Sequence, residues 1–241
     1  MYYELLRGKV MIYVMSDLHG YSLNKIKNTF EKVNFSDDDY CFILGDVIDR
    51  GDEGIDILKW LISQTNIQLV LGNHEAMMLS CGFLFDEITD ENLDNLNEQD
   101  MDVFTSWVEN GAETTLKQLS ELDPETVLAI VEYLKDAPLY ETVNVNGKDY
   151  LLTHSGLGNF DVGKHIDDYT PEEFLWNRPK KYDKYYSDIM TVFGHTPTFF
   201  FGNEYRGKVM LTDTWIDIDT GAAYGEHPVL FRLDDKKVFY V

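Results

Sequence analysis

The chain is poor in cysteine, in positive charge and in long apolar runs. Its 241 residues include two cysteines, Cys41 and Cys81, and no C-x-x-C pair. That spacing gives no support to a disulfide framework. Cys41 falls inside an apolar run and reads as a small buried residue. Lysine and arginine number 20 against 43 acidic residues, a formal net charge of -23. Such a surface repels nucleic-acid backbones and anionic membranes, because binding to phosphate needs clustered basic side chains. No apolar run approaches the length of a membrane span, and no charged N-terminal stretch precedes an apolar one. These absences lead to the expectation of a cytoplasmic protein with neither nucleic acid nor membrane as a partner. Oligomeric state is not legible in the sequence.

What is present suits an enzyme core. The chain is 44% hydrophobic and 14% aromatic, enough for a sizeable interior, and its length fits one large domain. Lys9 to Met15 reads as a strand. A helix follows, with Ser22 as its cap and Leu23, Ile26, Phe30 and Val33 at helical spacing. Tyr40 to Leu44 is a second strand, and Glu53 to Ser63 a helix with Ile55, Leu58, Leu61 and Ile62 inward. Ile67 to Leu71 is a third strand. Strand, helix, strand, helix, strand predicts a parallel α/β core with right-handed crossovers. Asp86 to Lys135 reads as a helical insertion, irregular and acidic up to Asp102. Three helical patterns then follow, the last beginning at Asp123 with Pro124 in its first turn. No Lys or Arg occurs between Lys59 and Lys117. That acidity is either a solvated face or an aid to substrate selection. Leu139 to Val145 and Asp149 to Thr153 form a hairpin around Asn146-Gly147. Residues 157–188 read as loop and short helix. Further strands lie at Thr191 to Phe193 and near residues 209–211, 215–218, 230–233 and 238–241.

Chemistry gathers where strands end. Leu44-Gly45-Asp46-Val47-Ile48-Asp49-Arg50-Gly51 sets two carboxylates and an arginine after a buried strand, where open α/β sheets bind ligands. Asp46 suits a metal and Arg50 a phosphate; the alternative is a surface loop with an Asp–Arg pair. Asp17 and His19 follow the first strand, Asn73 and His74 the third, His154 the hairpin and His195 the next strand. Each of these alone has an ordinary explanation as a cap or a satisfied polar group. Their coincidence carries the weight, since four of the six histidines share one kind of position, each with Gly within two residues. His165 and His227 do not, and read as surface residues.

Asp17-x-His19, Gly45-Asp46-x-x-Asp49-Arg50-Gly51, Gly72-Asn73-His74-Glu75, His154 and Gly194-His195 resemble the ordered signature of calcineurin-like metallophosphoesterases. The forms Gly-Asp-x-x-Asp-Arg-Gly and Gly-Asn-His-Glu are similar to the phosphoprotein phosphatase branch, the Ser/Thr protein phosphatases. Asp219-Thr220-Gly221-Ala222 resembles the compact bacterial and phage members. The resemblance spans about Tyr13 to Gly221. It implies a two-sheet sandwich flanked by helices, the N-terminal half supplying the parallel strands and the C-terminal strands the second sheet. It also implies two divalent ions, with Mn²⁺ expected and Fe or Zn as alternatives. Asp17, His19 and Asp46 would hold one, and Asp46, Asn73, His154 and His195 the other. The mixed oxygen and imidazole donors suit such ions. Paired ions about 3.5–4 Å apart can bind one hydroxide and clamp an in-line displacement.

The resemblance further implies that Arg50 grips phosphate oxygens and that His74 is a general acid oriented by Asp49. A salt bridge from Asp49 to Arg50 is the other reading of that carboxylate. Leu175-Trp176-Asn177-Arg178 resembles a family segment, which makes Arg178 the second phosphate arginine or else a surface residue. Tyr224 is expected near the pocket mouth. Substrates are then phosphorylated proteins or small phosphoesters, most directly phosphoserine and phosphothreonine. Dinucleoside polyphosphates such as diadenosine tetraphosphate are the alternative. Enzymes of that second kind often carry Ala-Arg-Gly and Asn-His-Asp, whereas Asp49-Arg50-Gly51 and Asn73-His74-Glu75 stand here. A catalytically dead binding module is the third reading, and the complete set of candidate ligands speaks against it.

Overall fold

The computed structural model describes residues 10–85 and 97–241. Its architecture follows from the first two strands, β1 (Ile12–Met15) and β2 (Tyr40–Ile43). Successive strand residues point to opposite faces. Tyr13, Met15, Cys41 and Ile43 enter one apolar core, while Val14, Phe42 and Leu44 enter another. Strands apolar on both faces must be covered on both. Helices cover one side and a second sheet covers the other.

In the first sheet β1 lies parallel to β2, and β2 parallel to β3 (Ile67–Leu69). The crossovers carry α1 (Leu23–Lys32) and α2 (Gly54–Ile62). Ser22 occupies the cap position of α1 without a side-chain cap bond. The Glu53 carboxylate accepts the Leu23 N–H at 2.8 Å instead. In α2 the buried stripe is Ile55, Ile57, Leu58 and Leu61; Ile62, the last helical residue, is 40% exposed.

The second sheet holds five strands in the order β4-β5-β6-β8-β7. These are β4 (Tyr140–Val145), β5 (Lys148–Thr153), β6 (Ile189–Phe193), β7 (Met210–Leu211) and β8 (Trp215–Asp217). β4 and β5 are joined through Asn146 and Gly147, both at positive φ (55° and 81°), as a tight hairpin turn demands. β5, β6 and β8 run parallel.

The last two strands depart from expectation. β9 (Val229–Arg232) and β10 (Lys237–Tyr240) return to the first sheet, with Val14 opposite Phe231 and Tyr13 opposite Arg232. β1 would otherwise present an open edge of unpaired backbone, and β9 closes it. The first sheet therefore mixes N- and C-terminal strands.

The insertion is helical, as the periodicity predicts. α3 (Asn73–Ser80) precedes it, and α4 (Glu98–Glu109), α5 (Glu113–Ser120) and α6 (Pro124–Lys135) compose its described part. Residues 86–96 of the expected insertion lie outside the described residues. Residues 98–102, expected to be irregular, form the first turns of α4. Asn97 caps them through Oδ1, which accepts the N–H groups of Gln99 and Asp100. Trp107, Leu119, Ile130 and Leu134 share the core beneath α1 and α2, so the insertion is packed into the fold. A short α7 (Pro171–Leu175) closes the outer face of the second sheet, where Phe174 and Leu175 pack with Phe193 and Trp215. Among the described residues no helix is long and apolar enough to cross a membrane.

Candidate metal and phosphate site

Five strand ends converge on one rim. Asp17 N–H donates to the Gly45 carbonyl at 3.0 Å, and Gly194 N–H to the His154 carbonyl at 2.8 Å, locking neighbouring ends together. Two glycines make the closest approach possible. A Cβ on Gly72 would overlap the backbone nitrogen of Asp46, and one on Gly45 would overlap Gly72. Non-glycine residues here adopt the left-handed region: Asp17, His19, Asp46, Asp49, Arg50 and His195 have φ between 41° and 70°. Each such residue costs about 1–3 kcal/mol, so the surroundings must impose the conformation. Glu75, fully buried, supplies part of that constraint. Its carboxylate accepts the N–H groups of Asp46 (2.8 Å), Val47 (2.8 Å), Ile48 (3.2 Å) and Gly72 (3.1 Å).

The imidazoles are aimed by their Nδ1 atoms. His154 Nδ1 lies 2.7 Å from the Leu44 carbonyl and His19 Nδ1 3.2 Å from the Ile48 carbonyl. A carbonyl only accepts, so both Nδ1 atoms donate and both Nε2 atoms carry free lone pairs. His154 Nε2 then faces Asn73 Oδ1 at 2.8 Å, His195 Nδ1 at 3.1 Å and Asp46 Oδ1 at 3.4 Å. On the other side of Asp46, Oδ2 lies 3.6 Å from His19 Nε2 and 3.8 Å from His74 Nε2. Two clusters of donor atoms, each within 4.8 Å, thus share Asp46: His19-Asp46-His74 and Asp46-His154-His195. His195 Nε2 is buried with no hydrogen-bond partner among the described residues. Asp17 borders the same cavity, and its two oxygens accept the His195 N–H at 3.1 and 2.9 Å.

Converging lone pairs repel unless a cation joins them. Burial pushes Asp46 well above the carboxylate range and raises Asp17 to about 7, with Asp219 adding to the latter. Asp219, itself buried at the rim, is also raised by burial to about 7. Burial holds His19 and His195 well below the usual imidazole range, helped by His74 beside the first and His154 beside the second. Neutral imidazoles and desolvated carboxylates are the forms that bind divalent ions. The residues present therefore fit such ions.

Arg50 closes over the His19–His74 side. Its Nη1 lies 3.1 Å from His19 Nε2 and its Nη2 3.1 Å from His74 Nε2. His74 Nδ1 meets Asp49 Oδ2 at 2.6 Å. The Asp49 carboxylate faces His74, Trp107 and Thr115, while the guanidinium of Arg50 turns toward the imidazoles. With those partners taken, the predicted alternative of an Asp49–Arg50 salt bridge does not form among the described residues. Arg178 borders the cavity and donates Nη1–H to the His195 carbonyl at 3.2 Å. The cavity is about 40 Å³, and Trp176 and Tyr224, both exposed, line it. His165 and His227 lie away at the surface, as expected. Sequence reading missed Trp107, Thr115 and Asn110, which come from the insertion. Asp219 was legible as part of a motif but had no assigned role.

Residues 10–219 match the calcineurin-like phosphoesterase family. The Serine/threonine-protein phosphatase 2 of Salmonella typhimurium is 29% identical over 226 residues, 92% of each chain. The symmetrical bis(5'-nucleosyl)-tetraphosphatase of Buchnera aphidicola is 36% identical over 70 residues, 28% of this chain and 25% of that one. A solved structure provisionally assigned as a diadenosine tetraphosphatase shares the fold, with a TM-score of 0.62 at 15% identity, covering 96% of this chain and 93% of that chain. The family match runs through every strand end that carries a candidate ligand, and the chain belongs to the calcineurin-like phosphoesterases.

Proposed function

We propose that the chain is a dinuclear-metal phosphatase acting on phosphomonoesters, with phosphoserine and phosphothreonine in proteins as its substrates. The observation that carries this is the sharing of Asp46 between two donor clusters, with Arg50 facing both imidazoles of the first, His19 and His74. Asp17, His19 and Asp46 would hold one divalent ion, and Asp46, Asn73, His154 and His195 the other. Mn²⁺ suits this donor set, as do Fe and Zn. When bound, the ions supply Lewis acidity, activating water for attack and neutralising charge on the phosphoryl oxygens.

The chain's own residues do the rest. Arg50 gives its two N–H groups to nonbridging oxygens, releasing the imidazoles it now bridges. Arg178, across the cavity, restrains the same phosphoryl group. Asp49 fixes Nδ1 of His74 as the protonated nitrogen in the resting state. His74 takes up a second proton from water at Nε2, Asp49 stabilises the resulting imidazolium, and that Nε2 proton passes to the departing oxygen, returning the ring to its resting form.

Two features support a protein substrate. The Salmonella protein phosphatase aligns with nearly the whole chain, and the net charge of -23 opposes a tetraphosphate more than a basic phosphopeptide. The second reading, dinucleoside polyphosphate hydrolysis, draws on the tetraphosphatase relatives and on Trp176 and Tyr224, whose exposed rings could stack a base. The deciding experiment compares kcat/KM on a phosphothreonine peptide and on diadenosine tetraphosphate, each with Mn²⁺. A higher value on the peptide is expected, with loss of both activities to chelator. A much higher value on the dinucleotide overturns the substrate, and activity that survives chelation overturns the metal chemistry.

A further inference from the structure

Asp49 and Arg50 are held from outside their own sheet. Both are in the left-handed region, at φ 68° and 70°, a conformation uncommon outside glycine and more so for Arg than for Asp. The groups that meet them come from the insertion. Trp107, near the end of α4, donates Nε1–H to Asp49 Oδ2 at 2.9 Å. Thr115, in the first turn of α5, donates Oγ1–H to Asp49 Oδ1 at 2.6 Å and accepts the Asp49 N–H at 3.0 Å. Between the two helices, the Gly111 carbonyl accepts the Arg50 N–H at 2.9 Å and the Asn110 carbonyl accepts Arg50 Nε–H at 3.4 Å. All these contacts come from the end of α4, the 110–111 corner and the first turn of α5. Trp107 and Thr115 are fully buried. Gly111 sits at φ 102°, and a Cβ there would lie 2.8 Å from Arg50 Cγ.

We infer that the helical insertion is a positioning device for catalysis: Trp107 and Thr115 aim the Asp49–His74 pair, and the 110–111 corner aims Arg50. The inference rests on reading His74 as the acid. Three donors share two Asp49 oxygens: His74 and Trp107 meet Oδ2, and Thr115 meets Oδ1. Removing an insertion donor lets the carboxylate rotate about its Cβ–Cγ bond. His74 then loses its fixed direction, and proton delivery suffers while water attack does not. Trp107 and Thr115 touch no reacting atom, so they are positioning residues.

A leaving-group comparison tests this in the Mn²⁺-loaded full chain. One substrate is p-nitrophenyl phosphate, whose phenolate leaves without much help. The other is a phosphothreonine peptide, whose alkoxide must be protonated. Thr115→Val should lower kcat on the peptide by about tenfold to a hundredfold and on the aryl ester by far less. Thr115→Ser should restore the wild-type ratio. Trp107→Phe, which keeps an aromatic ring but loses the indole N–H, should repeat the split, and it stands in if Thr115→Val does not fold. His74→Asn in the same assay separates the two ideas. If His74→Asn shows the split and neither insertion variant does, the positioning role is overturned. If His74→Asn shows none, the acid assignment itself fails.

Discussion

Glu75 and Asp46 are 29 residues apart, yet the Glu75 carboxylate accepts the Asp46 backbone N–H at 2.8 Å. The same carboxylate receives three more N–H groups, so one buried side chain sets the whole turn that carries the shared candidate ligand. Glu75→Gln keeps the volume but turns an NH₂ group toward backbone donors. Each oxygen serves two of the four N–H groups, so two lose their acceptor and face the NH₂ instead, a cost of about 1–3 kcal/mol for each unsatisfied group. Chemical denaturation should show that loss, and calorimetry should show weaker Mn²⁺ binding by the folded variant. Undiminished stability would mean that the turn holds itself.

Arg50 is exposed as a residue, and its guanidinium faces two buried imidazoles at 3.1 Å. Arg50→Ala removes a charge from the surface and leaves the backbone contacts of the turn in place. Its effect should therefore fall on catalysis rather than on folding. Loss of a group that stabilises transition-state charge costs about 10²–10³ in kcat, and inorganic phosphate should inhibit the variant more weakly. Arg50→Lys should rescue little, because an ammonium cannot give two parallel N–H groups. Full activity in Arg50→Lys would show that charge alone suffices.

Five strand ends were legible because their residues are few in kind and locally concentrated. Glycines that permit close approach stand beside Asp, Asn and His, and the spacing is short enough to read in one window. The positioning residues were not legible. Trp107 lies 58 residues and Thr115 66 residues from Asp49, and each looks like an ordinary buried helix residue. Their role depends on how the insertion docks, which no local pattern records. The return of β9 to β1 was hidden for the same reason. Val229 and Phe231 show that the strand has an apolar face but not which of two sheets it joins.

Proton competition makes metal binding pH-dependent. Asp17, raised by burial from 3.8 to about 7, is half protonated near neutrality in the metal-free protein. A metal must displace that proton and any that burial keeps on Asp46, so affinity should rise with pH through the range around 7 and not level off there. Below that range each pH unit should cost about tenfold in affinity per displaced proton. His19 and His195, held neutral by burial, add no proton to displace around pH 7. Calorimetry in two buffers of different ionisation enthalpy measures both the affinity and the protons released. Mn²⁺ affinity that is flat between pH 5.5 and 7 would place Asp17 outside the ligand set.

Long-range charge and local charge oppose each other at the cavity mouth. Arg50 and Arg178 attract a phosphate within a few ångströms, while the net charge of -23 repels any polyanion at a distance. Salt screens the distant term first, since the Debye length shrinks from about 30 Å at 0.01 M to about 10 Å at 0.1 M. For diadenosine tetraphosphate, raising the salt over that range should therefore raise kcat/KM. A phosphothreonine peptide rich in lysine and arginine is drawn in by the same field, so its kcat/KM should fall. kcat should move little in either case, because the bound phosphoryl group is already inside the cavity. Should the tetraphosphate rate fall with salt, the two arginines would govern encounter and the acidic surface would have no part in selecting substrates.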